Sequence, residues 1–107
     1  MLKEGYIGKW RKYPKDEVKV RVARPSVLAP SKELLREWKE GKIDWGAYEK
    51  RFRKEILNSP KAVAKLKEIK KLAEEKDVRL ICYEKNPPCH RFILIDLINL
   101  MNLKGGM

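Results

Sequence analysis

The stretch Leu80–Arg91, LICYEKNPPCHR, holds both cysteines, the only histidine and one arginine within twelve residues. A thiol, an imidazole and a guanidinium in succession suit nucleophilic chemistry. Cys89 would attack, His90 would act as general acid or base, and Arg91 would hold an oxyanion or phosphate. The prolines set the placement. Pro88 disfavours helical backbone at Pro87 and itself fits a first helical turn, so Cys89, His90 and Arg91 are predicted in that turn. Cys82 then ends the preceding strand. A helix N-terminus offers unpaired N–H groups and a positive dipole end, which would draw an anion and lower the Cys89 thiol from ~8.5 into the range of roughly 3.5–7.5.

Other chemistry fits the same residues. Phosphatases and rhodaneses place an arginine six residues beyond the cysteine, where this chain has Ile95. Zinc could use Cys82, Cys89 and His90, but their spacing matches no usual ligand pattern, so neither a metal nor a cofactor is assigned. A Cys82–Cys89 disulfide needs a Cα separation below about 7 Å. Alternatively Cys82 packs in the core, while Cys89, His90 and Arg91 cap the helix, hold a passing anion or pair with Glu84. The residues alone leave these readings open.

The elements that must position this segment read as an α/β order. Residues 17–23, EVKVRVA, alternate Val18, Val20 and Val22 with Lys19 and Arg21, the period of a strand with one apolar and one basic face. Ser31 is placed to cap a helix through KELLREWKE, with Gly41 as its stop. Asp44 opens a second helix with Trp45, Tyr48, Phe52 and Ile56 along one stripe, read as core rather than a stacking platform. Ser59 and Pro60 start a third, ending near Asp77, with Ala62, Leu66, Ile69 and Ala73 inward. VRLICY, apolar almost without alternation, reads as a strand buried on both faces. A last helix runs from about Pro88 to Leu103. The fold class is therefore α/β: a small three-layer domain with a short, mostly parallel sheet flanked by about four helices and right-handed crossovers. Residues 1–107 form one domain, with 1–16 loosely ordered and 104–107 a flexible tail.

A net charge of +11 at pH 7 is large enough to attract polyanions through its long-range field. The excess is concentrated. Residues 8–24 carry seven positive and two negative groups, whereas residues 32–57 carry eight against six. A nucleic-acid patch would thus use GKWRKYPK, with Trp10 and Tyr13 available for stacking, and the basic face of VKVRV. FILIDLINLMNL, interrupted by Asp96, falls short of the roughly 18 apolar residues of a membrane span. No secretory pattern opens the chain, so a cytoplasmic location is expected. Abundant Lys and Glu, few Asn and no Gln would suit a thermophile. Monomer and homodimer are both compatible with this surface.

LAPSKELLREWKEGKIDWGAYEKRFRKEI followed by LICYEKNPPCHRFILIDLI resembles domain-of-unknown-function family 488, which includes the YeaO-like proteins. The matching residues are Ala29, Pro30 and Ser31; Tyr48, Arg51 and Glu55; and Cys82, Glu84, Lys85, Cys89, His90 and Arg91. The resemblance spans roughly residues 18–103. Phe52 stands where the family pattern has tyrosine, and the segment before Arg24 is short. The resemblance implies a three-layer α/β fold and gathers its polar motifs into one pocket, without supplying an activity. The candidate site is therefore an anion pocket at the carboxyl ends of the strands. Cys89, His90 and Arg91 would do the chemistry, and Arg24, Ser31, Tyr48, Arg51, Cys82, Glu84 and Lys85 would bind the ligand. Its partner would be a phosphate-bearing small molecule or nucleic acid.

Overall fold

The computed structural model describes residues 1–24, 26–83 and 89–101. Among these, three strands, β1 (Leu2–Tyr6), β2 (Val18–Arg21) and β3 (Val78–Cys82), form one parallel sheet in the order β1-β3-β2. Four α-helices accompany them: α1 (Lys32–Lys39), α2 (Trp45–Leu57), α3 (Pro60–Glu75) and α4 (His90–Leu100). The α/β class is as the sequence implies. The continuous apolar run VRLIC is central because it alone has a strand on each side and must bury both faces.

Three helix starts follow their local signals. The side chains of Ser31, Asp44 and Ser59 accept hydrogen bonds from the backbone N–H groups of Leu34, Ala47 and Ala62, respectively. Gly41 takes φ 74°, the left-handed conformation that lets the chain leave α1. Tyr48, Phe52 and Ile56 of α2 are buried with Ala62, Leu66 and Ile69 of α3, so the aromatic stripe is core.

Register sorts the sheet into two faces. Leu2, Glu4, Val18, Val20, Val78, Leu80 and Cys82 share one, since paired residues of a parallel ladder point the same way. Against this face pack α3 and α4, with α2 upon both and α1 upon α2. Lys3, Gly5, Lys19, Arg21, Arg79 and Ile81 share the other. That face is covered by a 3₁₀ segment, Ile7–Lys12, and by Tyr13 rather than by a full helix. Tyr13 lies beneath the Arg79 guanidinium at 4.0 Å and its hydroxyl accepts from the Tyr6 N–H at 3.0 Å. Arg79 in turn holds both carboxylate oxygens of Glu17, which is buried.

Three boundaries differ from expectation. Strand β1 falls in a segment to which the sequence reading gave no element. Its pairing depends on a partner more than 70 residues away rather than on a local pattern. Strand β2 ends at Arg21, so Val22 and Ala23 are buried loop residues. Helix α4 begins at His90 and ends at Leu100. Cys89 is its N-cap, with extended backbone (φ −150°, ψ 148°), and not a first-turn residue.

Candidate functional site

The parallel sheet brings the carboxyl ends of β2 and β3 side by side, and α4 starts beside them. Cys82 ends β3 on the helix-covered face, and Glu4 of β1 points to that same face. Arg91, in the first turn of α4, enters from the opposite side and reaches both: Nε donates to Glu4 Oε1 at 2.8 Å and Nη1 donates to Cys82 Sγ at 3.2 Å. Its guanidinium is 2% exposed. The arginine is thus turned inward, its charge balanced by a half-buried carboxylate.

His90 is fixed on the neighbouring side. Its Nε2 lies 2.8 Å from the carbonyl oxygen of Val22, which can only accept, so Nε2 carries hydrogen and Nδ1 presents a lone pair in the neutral ring. That Nδ1 lies 3.6 Å from Cys89 Sγ. Phe52 meets the imidazole edge-on at 5.5 Å between ring centroids, a contact that fixes the plane of the ring. Here Val22 matters although it lies just past the strand: its N–H still donates to the Ile81 carbonyl at 2.8 Å, while its own carbonyl serves the histidine.

Cys82 and Cys89 are both free thiols and both buried, so the disulfide reading does not describe this structure. The expectation of an acidic Cys89 is also overturned. A hydrogen bond to Cys82 and burial push the Cys89 thiol up from its ordinary value, against the pull of the Arg91 backbone. Burial and the neighbouring sulfur outweigh the helix end here. Cys82, by contrast, receives a guanidinium N–H from Arg91. The guanidinium thus meets the sulfur at the strand end.

A small cleft of about 150 Å³ opens on this cluster, lined by Ala23, Arg24, Pro30, Leu35, Lys39, Cys82, Tyr83 and His90. Cys82 and His90 reach it, whereas Cys89 lies behind them. Arg24 and Lys39 bring positive charge to its walls. Arg24 was anticipated. Lys39 was not: it sits at the end of a helix whose charges read as a solvated face, and only the packing of α1 brings it near the strand ends.

The remaining predicted residues have other surroundings. Ser31 caps α1 and donates from its hydroxyl to Glu55 Oε2 at 2.7 Å. Tyr48 stacks between Trp45 at 4.6 Å and Phe52 at 6.1 Å, so it supports His90 through Phe52. Arg51 is gripped by both carboxylate oxygens of Glu37. Glu84 and Lys85 lie outside the described residues, as does any pairing of the site with Glu84.

The model of one family, DUF488-N3a, described as the active DUF488-N3 subclade, matches residues 6–102. The chain belongs to this DUF488 family. No curated protein and no solved structure matches it. The family match runs from the last residue of β1, Tyr6, through α4, and so includes both cysteines, His90 and Arg91 but not Glu4. In this DUF488 chain the late motif Cys-His-Arg and the earlier strand cysteine meet as one cluster, with the aromatic residues of α2 as its support.

Proposed function

We propose that this DUF488 domain binds a small phosphate ester in the cleft at the strand ends and that the Cys82 thiolate attacks its phosphorus, the phosphorus–sulfur bond forming as the ester bond breaks and the alcohol leaves, taking up a proton from solvent. One observation carries this reading: the buried Arg91 guanidinium donates to Cys82 Sγ at 3.2 Å, where that sulfur borders a cleft walled by Arg24 and Lys39. A charged donor stabilises the thiolate over the thiol. Arg24 and Lys39 supply the field for an anion. The volume matches about five waters at ~30 Å³ each, enough for a phosphate group with its first substituent but not for a whole nucleotide. The description of the subclade as active accords with a reacting group. Roles thus shift from the sequence expectation: Cys82 is the nucleophile, Arg91 its positioning and charge-stabilising partner, and His90 the base nearest the two sulfurs.

The test is site-resolved alkylation of the chelator-treated protein with iodoacetamide, read by peptide mass spectrometry. Cys82 is expected to label before Cys89, and phenyl phosphate should slow the labelling of Cys82 only while Arg24 and Lys39 are present. Labelling of Cys89 first, or of neither cysteine in the folded protein, would refute the reading.

A second reading rests on the opposite face. Trp10, 38% exposed, lines an open groove with Arg11, Tyr13, Lys15 and Lys19. Such a basic, aromatic surface suits a single-stranded polyanion. Titration with an oligonucleotide at increasing salt checks it: affinity must fall steeply with salt, and an absence of binding at low salt excludes it.

A further inference from the structure

The three groups that the fold gathers at the start of α4 are metal ligands by chemistry as well as by distance. We propose that Cys82, Cys89 and His90 form a site for a thiophilic divalent ion of the zinc type, with a fourth coordination position open to the cleft. This does not depend on Cys82 acting as a nucleophile.

The two sulfurs and a ring nitrogen of His90 all lie within 4.8 Å of one another. Tetrahedral zinc, with bonds of about 2.3 Å to sulfur and 2.0–2.1 Å to nitrogen, requires S···N edges near 3.6 Å and an S···S edge near 3.8 Å. The Cys89 Sγ to His90 Nδ1 distance of 3.6 Å already meets this. The remaining edges need a contraction of at most about 1.2 Å, which side-chain rotation can supply.

The surroundings are those a ligand set requires. The Nε2–H of His90 donates to the Val22 carbonyl, which leaves Nδ1 as the coordinating nitrogen and fixes the ring. Arg91 donates to Cys82 Sγ, a contact that would persist on a metal-bound thiolate and draw off part of its charge. Two thiolates and a divalent ion are neutral together, and the arginine is already balanced by Glu4. Coordination replaces the protons of both thiols, which leave to solvent. Buried walls exclude water on the far side, while Cys82 and His90 border the cleft, so an ion has a way in and an open position facing Arg24 and Lys39. Three protein ligands with one open position is the arrangement of reactive rather than structural zinc. The sequence spacing concealed it, because one ligand comes from a strand end and two come from consecutive residues at a helix start.

The experiment titrates the chelator-stripped full chain with Co(II) alone. One equivalent is expected to bring up a thiolate-to-cobalt charge-transfer band with intense visible bands of tetrahedral cobalt, both discharged by Zn(II). Cys89→Ser and His90→Gln, confirmed as folded by circular dichroism, should each weaken cobalt binding at least tenfold. Zn(II) should also slow alkylation of Cys82 at least tenfold in the wild type. Absence of the charge-transfer band at one equivalent, or an unchanged band in Cys89→Ser, overturns the metal site. If the band is absent while Cys82 still labels in metal-free protein, only the metal proposal falls. If the band forms while metal-free Cys82 resists labelling, the metal site stands and the nucleophile reading falls.

Discussion

Replacing Arg91 with methionine tests the pivot of the site. The substitution keeps an unbranched apolar stem in the 2% exposed position and deletes the guanidinium that bridges Glu4 and Cys82. Breaking a fully buried ion pair costs about 3–5 kcal/mol, but Glu4 is 42% exposed and can turn to water, so a stability loss of about 1–3 kcal/mol is expected. The effect at sulfur is separable. A charge-assisted hydrogen bond worth about 1.5–3 kcal/mol, once lost, cuts the thiolate fraction of Cys82 by roughly 12- to 160-fold. The more basic thiolate that remains attacks faster, with a Brønsted slope of about 0.4–0.5, so the net slowing is about 4- to 20-fold. The assay follows iodoacetamide modification of Cys82 near pH 7 in chelator, with urea unfolding as the check on folding. Arg91→Lys, which keeps the charge but not the fork that reaches two partners, should fall between wild type and methionine. A folded Arg91→Met protein that labels at the wild-type rate would refute the claim that this guanidinium prepares the thiol.

Other perturbations probe the frame. A Cβ on Gly5 would lie 2.5 Å from the Tyr13 hydroxyl, and Tyr13 is pinned by Arg79 and the Tyr6 amide, so Gly5→Ala should lower stability by about 1–3 kcal/mol in urea unfolding. The hydrogen bond from Arg79 holds the buried Glu17 carboxyl below its usual value. A lowered carboxyl contributes stability above its unfolded pKa of about 4.3 and loses it as pH falls through the folded value, so Glu17→Gln should flatten the acid side of the stability profile. Ser31→Ala removes the α1 cap and the hydroxyl's bond to Glu55, while the backbone N–H keeps its own bond to that carboxylate, and should cost about 1 kcal/mol by thermal unfolding.

Much of the frame was legible because its signals are local. Ser31, Asp44, Ser59 and Gly41 act within one helical turn of themselves, and α1 to α3 begin where those residues stand. The alternation of Val18 and Val20 and the apolar run of β3 likewise need no distant partner to be recognised. Strand β1 is different: LKEGY mixes charge and glycine, and the Glu4 carboxylate is engaged by Arg91, 87 residues later. Of the residues expected together, Ser31, Tyr48 and Arg51 are engaged elsewhere, by Glu55, Trp45 and Glu37. Cys82, Cys89, His90 and Arg91 do converge. Which sulfur receives the guanidinium depends on where β3 stops relative to the first turn of α4, and no spacing rule contains that. An arginine beside a helix N-terminus reads as an anion holder, yet a carboxylate on a non-adjacent strand drew it inward.

The strand order also has a bearing on how the chain reaches this state. Both edge strands hydrogen-bond only to β3, so within the sheet neither β1 nor β2 has a neighbour until residues 78–82 exist. During synthesis the helices α1 to α3 can form from short-range contacts, while the two earlier strands wait for a third made after them. Cys82 is the last residue of that third strand. The cluster around Cys82 therefore needs β3 and α4, the last elements in the chain, before its members can meet.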